Sequence, residues 1–188
     1  MLGRKVVISI NKRSIVYSKV NVWRKKIIKS RQINLPEEVD WGKESFTKAF
    51  LYFKNKFKIQ NIRILLSDDL SYYLKLYVPT NIQNDKERDF IYKKICYEIP
   101  EVFGDEEWDY RELNTSDKVG YKRAIVFAPV KRIYVDLADV TKRINLHVSA
   151  IEPVSFAKLR NSNPIIGLAL KTDIKGKDER ILNLRINN

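Results

Sequence analysis

Two acidic clusters contain the side chains of this sequence that are best suited to catalysis. Asp68 and Asp69 follow a short apolar run, and residues 105–107 (Asp-Glu-Glu) precede a tryptophan. Paired carboxylates can bind Mg²⁺ or transfer protons. A metal-dependent hydrolase needs carboxylates that converge from several strand centres, whereas both clusters fall in predicted turns. We therefore interpret them as solvated turn residues and keep a hydrolase that uses Asp68 and Asp69 as an alternative.

The other residue types that enzymes use are nearly missing. His147 is the only histidine and Cys96 the only cysteine, so neither a catalytic triad nor a clustered zinc site can be assembled. The six glycines are widely spaced, and no loop has the repeated glycines that bind phosphate. His147 lies in a strand pattern and is predicted to face solvent. The sequence therefore predicts no catalytic residue, no metal ligand and no cofactor.

The positive charge of the chain is concentrated near its beginning. The net charge is +13, and residues 1–63 contain 16 lysines and arginines but 4 acidic residues. The candidates for a basic surface are Lys12, Arg13, Arg24, Lys25 and Lys26. Such a surface attracts an anionic membrane, an acidic protein or nucleic acid. Tyr17 and Trp23 lie among these cations, so nucleic-acid binding is kept as an alternative function.

Three strands at the start, followed by alternating helices and strands, predict an α/β fold. Strands are predicted at 4–10, 15–22, 25–35, 62–66, 71–78, 108–113, 121–128, 146–151 and, as an edge strand, 181–186. Helices are predicted at 43–57, 84–99, 131–144, 153–159 and 165–171. The first three strands are predicted to form an antiparallel meander. The helix at 43–57 has one apolar stripe, and it is predicted to be the crossover connection to the next strand. We expect two subdomains, residues 1–79 with 145–188 and an insert at 80–144.

The cellular compartment is predicted from three further features. No apolar run approaches the roughly 20 residues of a transmembrane helix, and the first ten residues do not have the pattern of a signal peptide. A single cysteine fits a reducing compartment. We therefore expect a cytoplasmic protein.

The middle of the chain follows the order of motifs in a known family. Residues 97–100 (Tyr-Glu-Ile-Pro) end a helix, residues 108–110 (Trp-Asp-Tyr) begin a strand, and an apolar strand at 124–129, a helix and residues 151–157 follow. Over about residues 60–160, this order resembles the PilM-type proteins of type IV pilus systems and the related secretion protein GspL. The resemblance implies a single actin-like (RNase H-like) lobe with an inserted α/β subdomain. The nucleic-acid alternative would then have an RNase H-like fold.

The resemblance also implies a function and a degenerate nucleotide site. Where the superfamily has an Asp-x-Gly phosphate loop, this sequence has Ser9 and Asn11. Residues 164–171 resemble the end of PilM proteins, as though the second lobe were missing. We therefore expect a non-enzymatic cytoplasmic scaffold, peripheral to the inner membrane, that serves pilus assembly or type II secretion.

The partner implied by the resemblance is an inner-membrane pilus or secretion protein, contacted through a PilN-like N-terminal peptide, with an anionic membrane surface as a further contact. The candidate partner-binding residues, in a groove between the subdomains, are Phe90, Tyr97, Trp108 and Tyr110. Packing within the core is the alternative role for these four.

Overall fold

The computed structural model describes residues 3–35, 43–113, 118–171 and 186 of the chain. Within them the strands are β1 (Arg4–Asn11), β2 (Ser14–Asn21), β3 (Lys26–Asn34), β4 (Asn61–Leu66), β5 (Ser71–Pro79), β6 (Asp109–Leu113), β7 (Tyr121–Pro129) and β8 (His147–Pro153). The helices are α1 (Lys43–Phe57), α2 (Asn84–Glu98), α3 (Lys131–Arg143), α4 (Val154–Lys158) and α5 (Pro164–Ala169). The α/β fold and the predicted elements in these residues are confirmed.

The larger sheet has the strand order β3-β2-β1-β4-β8. β1, β2 and β3 form the predicted antiparallel meander, and β4 and β8 run parallel to β1. α1 and α3 cover one face and α4 and α5 the other. The stripe predicted on α1 is buried, with Phe46, Phe50 and Phe53 inaccessible to solvent. Burying each phenylalanine contributes about 2 kcal/mol, which holds α1 on the sheet.

The smaller sheet has the order β5-β7-β6 and carries α2 on one face. Directly paired residues of an antiparallel sheet point to the same face. On the other face, Ile125 and Phe127 of β7 join the core of the larger subdomain. The smaller sheet is therefore held between α2 and the larger subdomain.

The strand pairing gives the smaller unit limits that differ from those of the insert predicted at 80–144. β5 begins at Ser71 and pairs with β7, so it belongs to the smaller sheet. α3 packs against α1 and belongs with the larger sheet. The pairing of the strands thus gives the smaller unit the limits 71–129.

Two remaining predictions concern the end of the chain and the membrane. The predicted edge strand at 181–186 lies outside the described residues apart from Ile186, which forms an antiparallel bridge with Val148 of β8. Among the helices that the structure describes, none is long and apolar enough to span a bilayer.

Candidate functional site

The turn between β1 and β2 is closed by the side chain of Asn11. Its Oδ1 atom accepts hydrogen bonds from the backbone N–H groups of Arg13 and Ser14, both at 2.9 Å, and its Nδ2 atom donates to the Ser14 hydroxyl at 3.0 Å. A phosphate-binding turn needs such N–H groups to be free. In this turn the two N–H groups are already occupied, so the turn is built as a self-contained structural unit.

The carboxylates of Asp68 and Asp69 do not converge on a common point. Asp69 forms an ion pair with Lys12 at 3.3 Å and accepts a hydrogen bond from the Ser67 hydroxyl. The hydrogen bond from the Ser67 hydroxyl has the largest effect and lowers the pKa of Asp69, burial opposes it, and Lys12 lowers the pKa further, so that it lies below its ordinary value. Asp68 instead accepts a hydrogen bond from the backbone N–H of Ser155 at 3.1 Å. Both side chains belong to exposed residues, as predicted for turn residues.

The second acidic cluster is also part of a turn. Glu107 accepts a hydrogen bond from the backbone N–H of Gly104 at 2.7 Å and lies 3.7 Å from the Lys131 ammonium. His147 is exposed on β8, as predicted. Across the described ranges no group of three His, Cys, Asp or Glu side chains is arranged to hold a metal ion.

The four predicted partner-binding aromatics lie on the side of the smaller sheet that faces α2. Trp108 and Tyr110 are buried there, and the Trp108 ring stacks on Tyr92 with centroids 6.0 Å apart. Phe90 is half-buried in the same cluster, and Tyr97 is 86% exposed on α2. The burial of Trp108 and Tyr110 favours the alternative role for these two residues, which is packing within the core. Phe90 and Tyr97 are the accessible members, and the binding role of the group stays a prediction.

The opposite face of the smaller sheet has an aromatic surface that the sequence interpretation missed. Tyr73, Lys75 and Tyr77 occupy alternate positions of β5. Tyr73 pairs with Phe127 and Lys75 pairs with Ile125. Since paired residues point to the same face, these three side chains lie on the face turned away from α2. Tyr73 and Tyr77 are 42% and 43% exposed. The sequence contains one signal that predicts this surface. Two tyrosines and a lysine at every second position of a strand indicate a face that is only partly covered.

Neighbouring residues extend this aromatic surface in two directions. The Tyr73 ring meets the Phe156 ring of α4 edge-on, with centroids 5.8 Å apart. The Tyr77 ring meets Tyr121 at 6.4 Å, and the Lys118 ammonium lies 4.2 Å from the Tyr121 centroid. β5 is also an edge strand, since among the described strands it pairs only with β7. An extended peptide could therefore hydrogen-bond along β5 and place side chains against these rings.

The five predicted basic residues belong to two different turns. Lys12 and Arg13 form the β1–β2 turn, and Arg24 and Lys25 lie in the β2–β3 turn with Lys26 at the start of β3. Because β2 runs between the two turns, they lie at opposite ends of the larger sheet. The predicted basic surface is thus divided into two sites.

A buried group of charges fastens α5 to the larger sheet. The Arg63 guanidinium donates to the backbone carbonyls of Leu168 and Lys171 at 2.9 and 2.6 Å. Glu152 is fully buried, forms an ion pair with Arg160 and lies 3.1 Å from the Lys171 ammonium. Burial lowers the pKa of Lys171, against the opposing effect of Glu152. These contacts are structural, because they join the end of α5 to Arg63 of β4 and Glu152 of β8.

Comparison with known proteins gives fold neighbours but no close relative. No protein-family model matches the sequence, and no curated protein matches it. The cytoplasmic domain of EpsL, an inner-membrane component of the type II secretion system of Vibrio cholerae, matches with a TM-score of 0.53 and 13% identity, over 82% of this chain and 58% of that one. A PilM–PilN type IV pilus biogenesis complex matches with a TM-score of 0.63 and 11% identity, over 82% of this chain and 48% of that one.

A third structure, from Bacteroides thetaiotaomicron, is described as a protein of unknown function with an actin-like ATPase fold. It matches with a TM-score of 0.43 and 11% identity, over 84% of this chain and 54% of that one. The first two neighbours establish the fold as an actin-like lobe with an inserted α/β subdomain. This chain spans about half the length of these two neighbours.

Proposed function

We propose that this chain is a non-enzymatic adaptor of a pilus or secretion machine, cytoplasmic and placed at the inner membrane, which binds an extended peptide of a membrane partner along β5. The observation that carries the proposal is the open edge and aromatic face of β5, where Tyr73, Lys75 and Tyr77 share one strand face and the Tyr73 ring meets Phe156. The fold neighbours EpsL and PilM–PilN support this class of role.

The closed first turn supports the non-enzymatic part of the proposal. An actin-like ATPase binds phosphate through the N–H groups of its first hairpin turn, and those of Arg13 and Ser14 are occupied by Asn11. Lys12 is engaged with Asp69. Calorimetry with Mg-ATP should therefore give no binding heat, and tight binding of ATP by the full chain would end the non-enzymatic interpretation.

Peptide binding is tested with synthetic N-terminal cytoplasmic peptides of inner-membrane pilus and secretion proteins. We expect one class to bind, and Tyr77→Ala to weaken its binding about tenfold, because aromatic contacts dominate such interfaces. Tyr97→Ala is the matched control, since Tyr97 is exposed on the other side of the smaller sheet.

Each outcome of that comparison has a definite meaning. Loss of binding in Tyr77→Ala alone supports the β5 surface. Loss in Tyr97→Ala alone would transfer the site to the α2 surface predicted from the sequence and overturn the placement on β5. Failure of every peptide in the panel to bind the wild-type chain would overturn the adaptor proposal.

A further inference from the structure

One end of the larger sheet collects the first residues of its parallel strands. β1, β4 and β8 run in the same direction, so they begin at the same end, and the antiparallel β2 ends there before β3 begins. The turns at 22–25 and 58–60 lie at this end because they precede β3 and β4. We call it the cationic end, for the residues described next.

The cationic end is lined by exposed lysines and arginines and has no carboxylate from the segments that form it. The exposed cations there are Arg4, Lys5, Arg24, Lys25, Lys26 and Lys58. Residues 3–35 and 45–67, which supply β1 to β4 and most of α1, contain no aspartate or glutamate at all. The charges of this end are therefore not neutralised by neighbours in their own segments, and they act together on an anionic surface.

The acidic residues of the described chain lie elsewhere. Asp68 and Asp69 follow the last residue of β4, at the opposite end of the larger sheet, and Asp85, Glu87 and Asp89 belong to α2 on the smaller sheet. Among the described residues, these five carboxylates therefore lie away from the cationic end. An anionic plane would attract the protein with the cationic end inward.

A tryptophan projects from the cationic end. Trp23 is 78% exposed in the β2–β3 turn, between Val22 and Arg24. The turn is held by hydrogen bonds from the Val22 N–H to the Gly3 carbonyl at 2.8 Å and from the Arg24 N–H to Asn21 Oδ1 at 3.1 Å. The indole lies so close to Gly3 that a Cβ there would be 1.9 Å from its Nε1 atom.

An exposed indole among cations has the properties of a membrane-interface residue. Tryptophan has an apolar ring and a polar N–H, and it is enriched at the level of the lipid headgroups. Each lysine or arginine near an anionic leaflet contributes about 1 kcal/mol of attraction. Within the described chain no other ring stacks with Trp23, whereas single-stranded nucleic acid is bound by successive stacking rings. These features favour lipid over nucleic acid.

We propose that the cationic end docks on an anionic phospholipid bilayer, with Trp23 inserted among the headgroups and Arg24, Lys25 and Lys26 contacting the phosphates. This contact does not depend on peptide binding, because the β5 surface belongs to the smaller sheet. Docking would hold the chain against the membrane in one orientation.

Flotation of the full chain with vesicles tests this proposal. We expect binding to mixed phosphatidylcholine–phosphatidylglycerol vesicles, no binding to phosphatidylcholine alone, and weaker binding as salt is raised. Lys25→Gln with Lys26→Gln should weaken binding by about 25-fold, from about 1 kcal/mol for each cation. Lys12→Gln with Arg13→Gln removes the same charge from the opposite end of the sheet and should leave binding unchanged.

Fluorescence tests the role of the indole. Binding to the mixed vesicles should shift tryptophan emission to shorter wavelength, and Trp23→Phe should abolish the shift while Trp41 and Trp108 remain. Trp23→Ala should weaken binding about tenfold, because its apolar ring no longer enters the interface. Circular dichroism would verify that each variant is folded.

Three results would overturn the proposal. The first is equal binding to phosphatidylcholine alone, and the second is an equal loss of binding in both charge variants. The third is a single-stranded oligonucleotide that binds more tightly than the vesicles and depends on Lys25 and Lys26, which would assign the cationic end to nucleic acid. Loss of vesicle binding with retained peptide binding would remove this proposal alone, and the converse would remove only the peptide site.

Discussion

The side-chain oxygen of Asn11 lies 2.9 Å from the backbone nitrogen of Ser14, across the turn that joins β1 to β2. The same oxygen also binds the N–H of Arg13. Asn11 therefore has a structural role, because its side chain satisfies two backbone donors within the turn.

Replacing Asn11 with alanine should destabilise the protein by about 1–2 kcal/mol. The variant leaves the N–H groups of Arg13 and Ser14 without their protein acceptor, and each net hydrogen bond contributes about 1 kcal/mol. Urea denaturation measures the change. Asn21→Ala is the matched control in the other turn of the meander, where one N–H, that of Arg24, is bound, and it should cost about half as much. An Asn11→Ala protein as stable as the wild type would contradict the structural role.

Glu152→Gln should destabilise the protein by about 3 kcal/mol. Glu152 is fully buried against Arg160 and Lys171, and removal of one partner leaves buried cations without compensation. The measurement is again the free energy of unfolding in urea. Glu44→Gln is the control, because Glu44 is exposed and only 3.8 Å from the exposed Lys48, a pair that contributes little. A loss below about 1 kcal/mol in Glu152→Gln would show that the buried group does not fasten α5.

Gly167→Ala should loosen the contact between α4 and α5. A Cβ at this position would be 2.0 Å from the backbone oxygen of Ala157, so one of the helices must move, at a cost of about 1–3 kcal/mol. Thermal unfolding should show the loss. Gly104→Ala is the control, since the nearest atom to its Cβ would be in Glu107 at 3.7 Å. If both variants had the same melting temperature as the wild type, the packing of α5 against α4 would be looser than described.

The elements of this fold were predictable because their signals are local. The stripe of Phe46, Phe50 and Phe53 on α1 and the alternation in β1 and β2 depend on neighbours along the chain. The assignment of β5 to a sheet was not predictable in this way. A strand has the same residue pattern in either sheet, and its pairing with β7 is made with residues about 50 positions away.

The candidate site was harder to predict than the fold. Trp108 and Tyr77 are both aromatic residues in or beside strands, but one is buried and the other is 43% exposed, and the difference arises from which face α2 covers. Arg63 lies within the strand predicted at 62–66, and nothing in that pattern indicates that its guanidinium binds the carbonyl of Leu168, 105 residues later. Such roles depend on tertiary contacts, which no pattern in a single sequence contains.

The free energy of unfolding should fall with increasing pH over the range in which the Tyr134 hydroxyl is protonated in the folded state but ionised in the unfolded state. Burial, followed by Glu106 and Glu107, raises the pKa of Tyr134 from 10.0 to about 12. Above about pH 10 the unfolded chain loses this proton while the folded chain keeps it. The contribution of Tyr134 to the free energy of unfolding is therefore complete below pH 10 and is lost progressively as the pH rises to about 12. The total is about 3 kcal/mol as an order of magnitude.

Tyr134→Phe separates this effect from the titration of other groups. The variant lacks the hydroxyl that donates to the Glu106 carbonyl at 3.1 Å, so it should be about 1 kcal/mol less stable than the wild type at neutral pH. Because phenylalanine does not titrate, the difference should shrink and then change sign between about pH 10 and pH 12. Urea denaturation of both proteins across this range measures it. Parallel curves for the two proteins would mean that the Tyr134 hydroxyl is solvated and that its pKa is not raised.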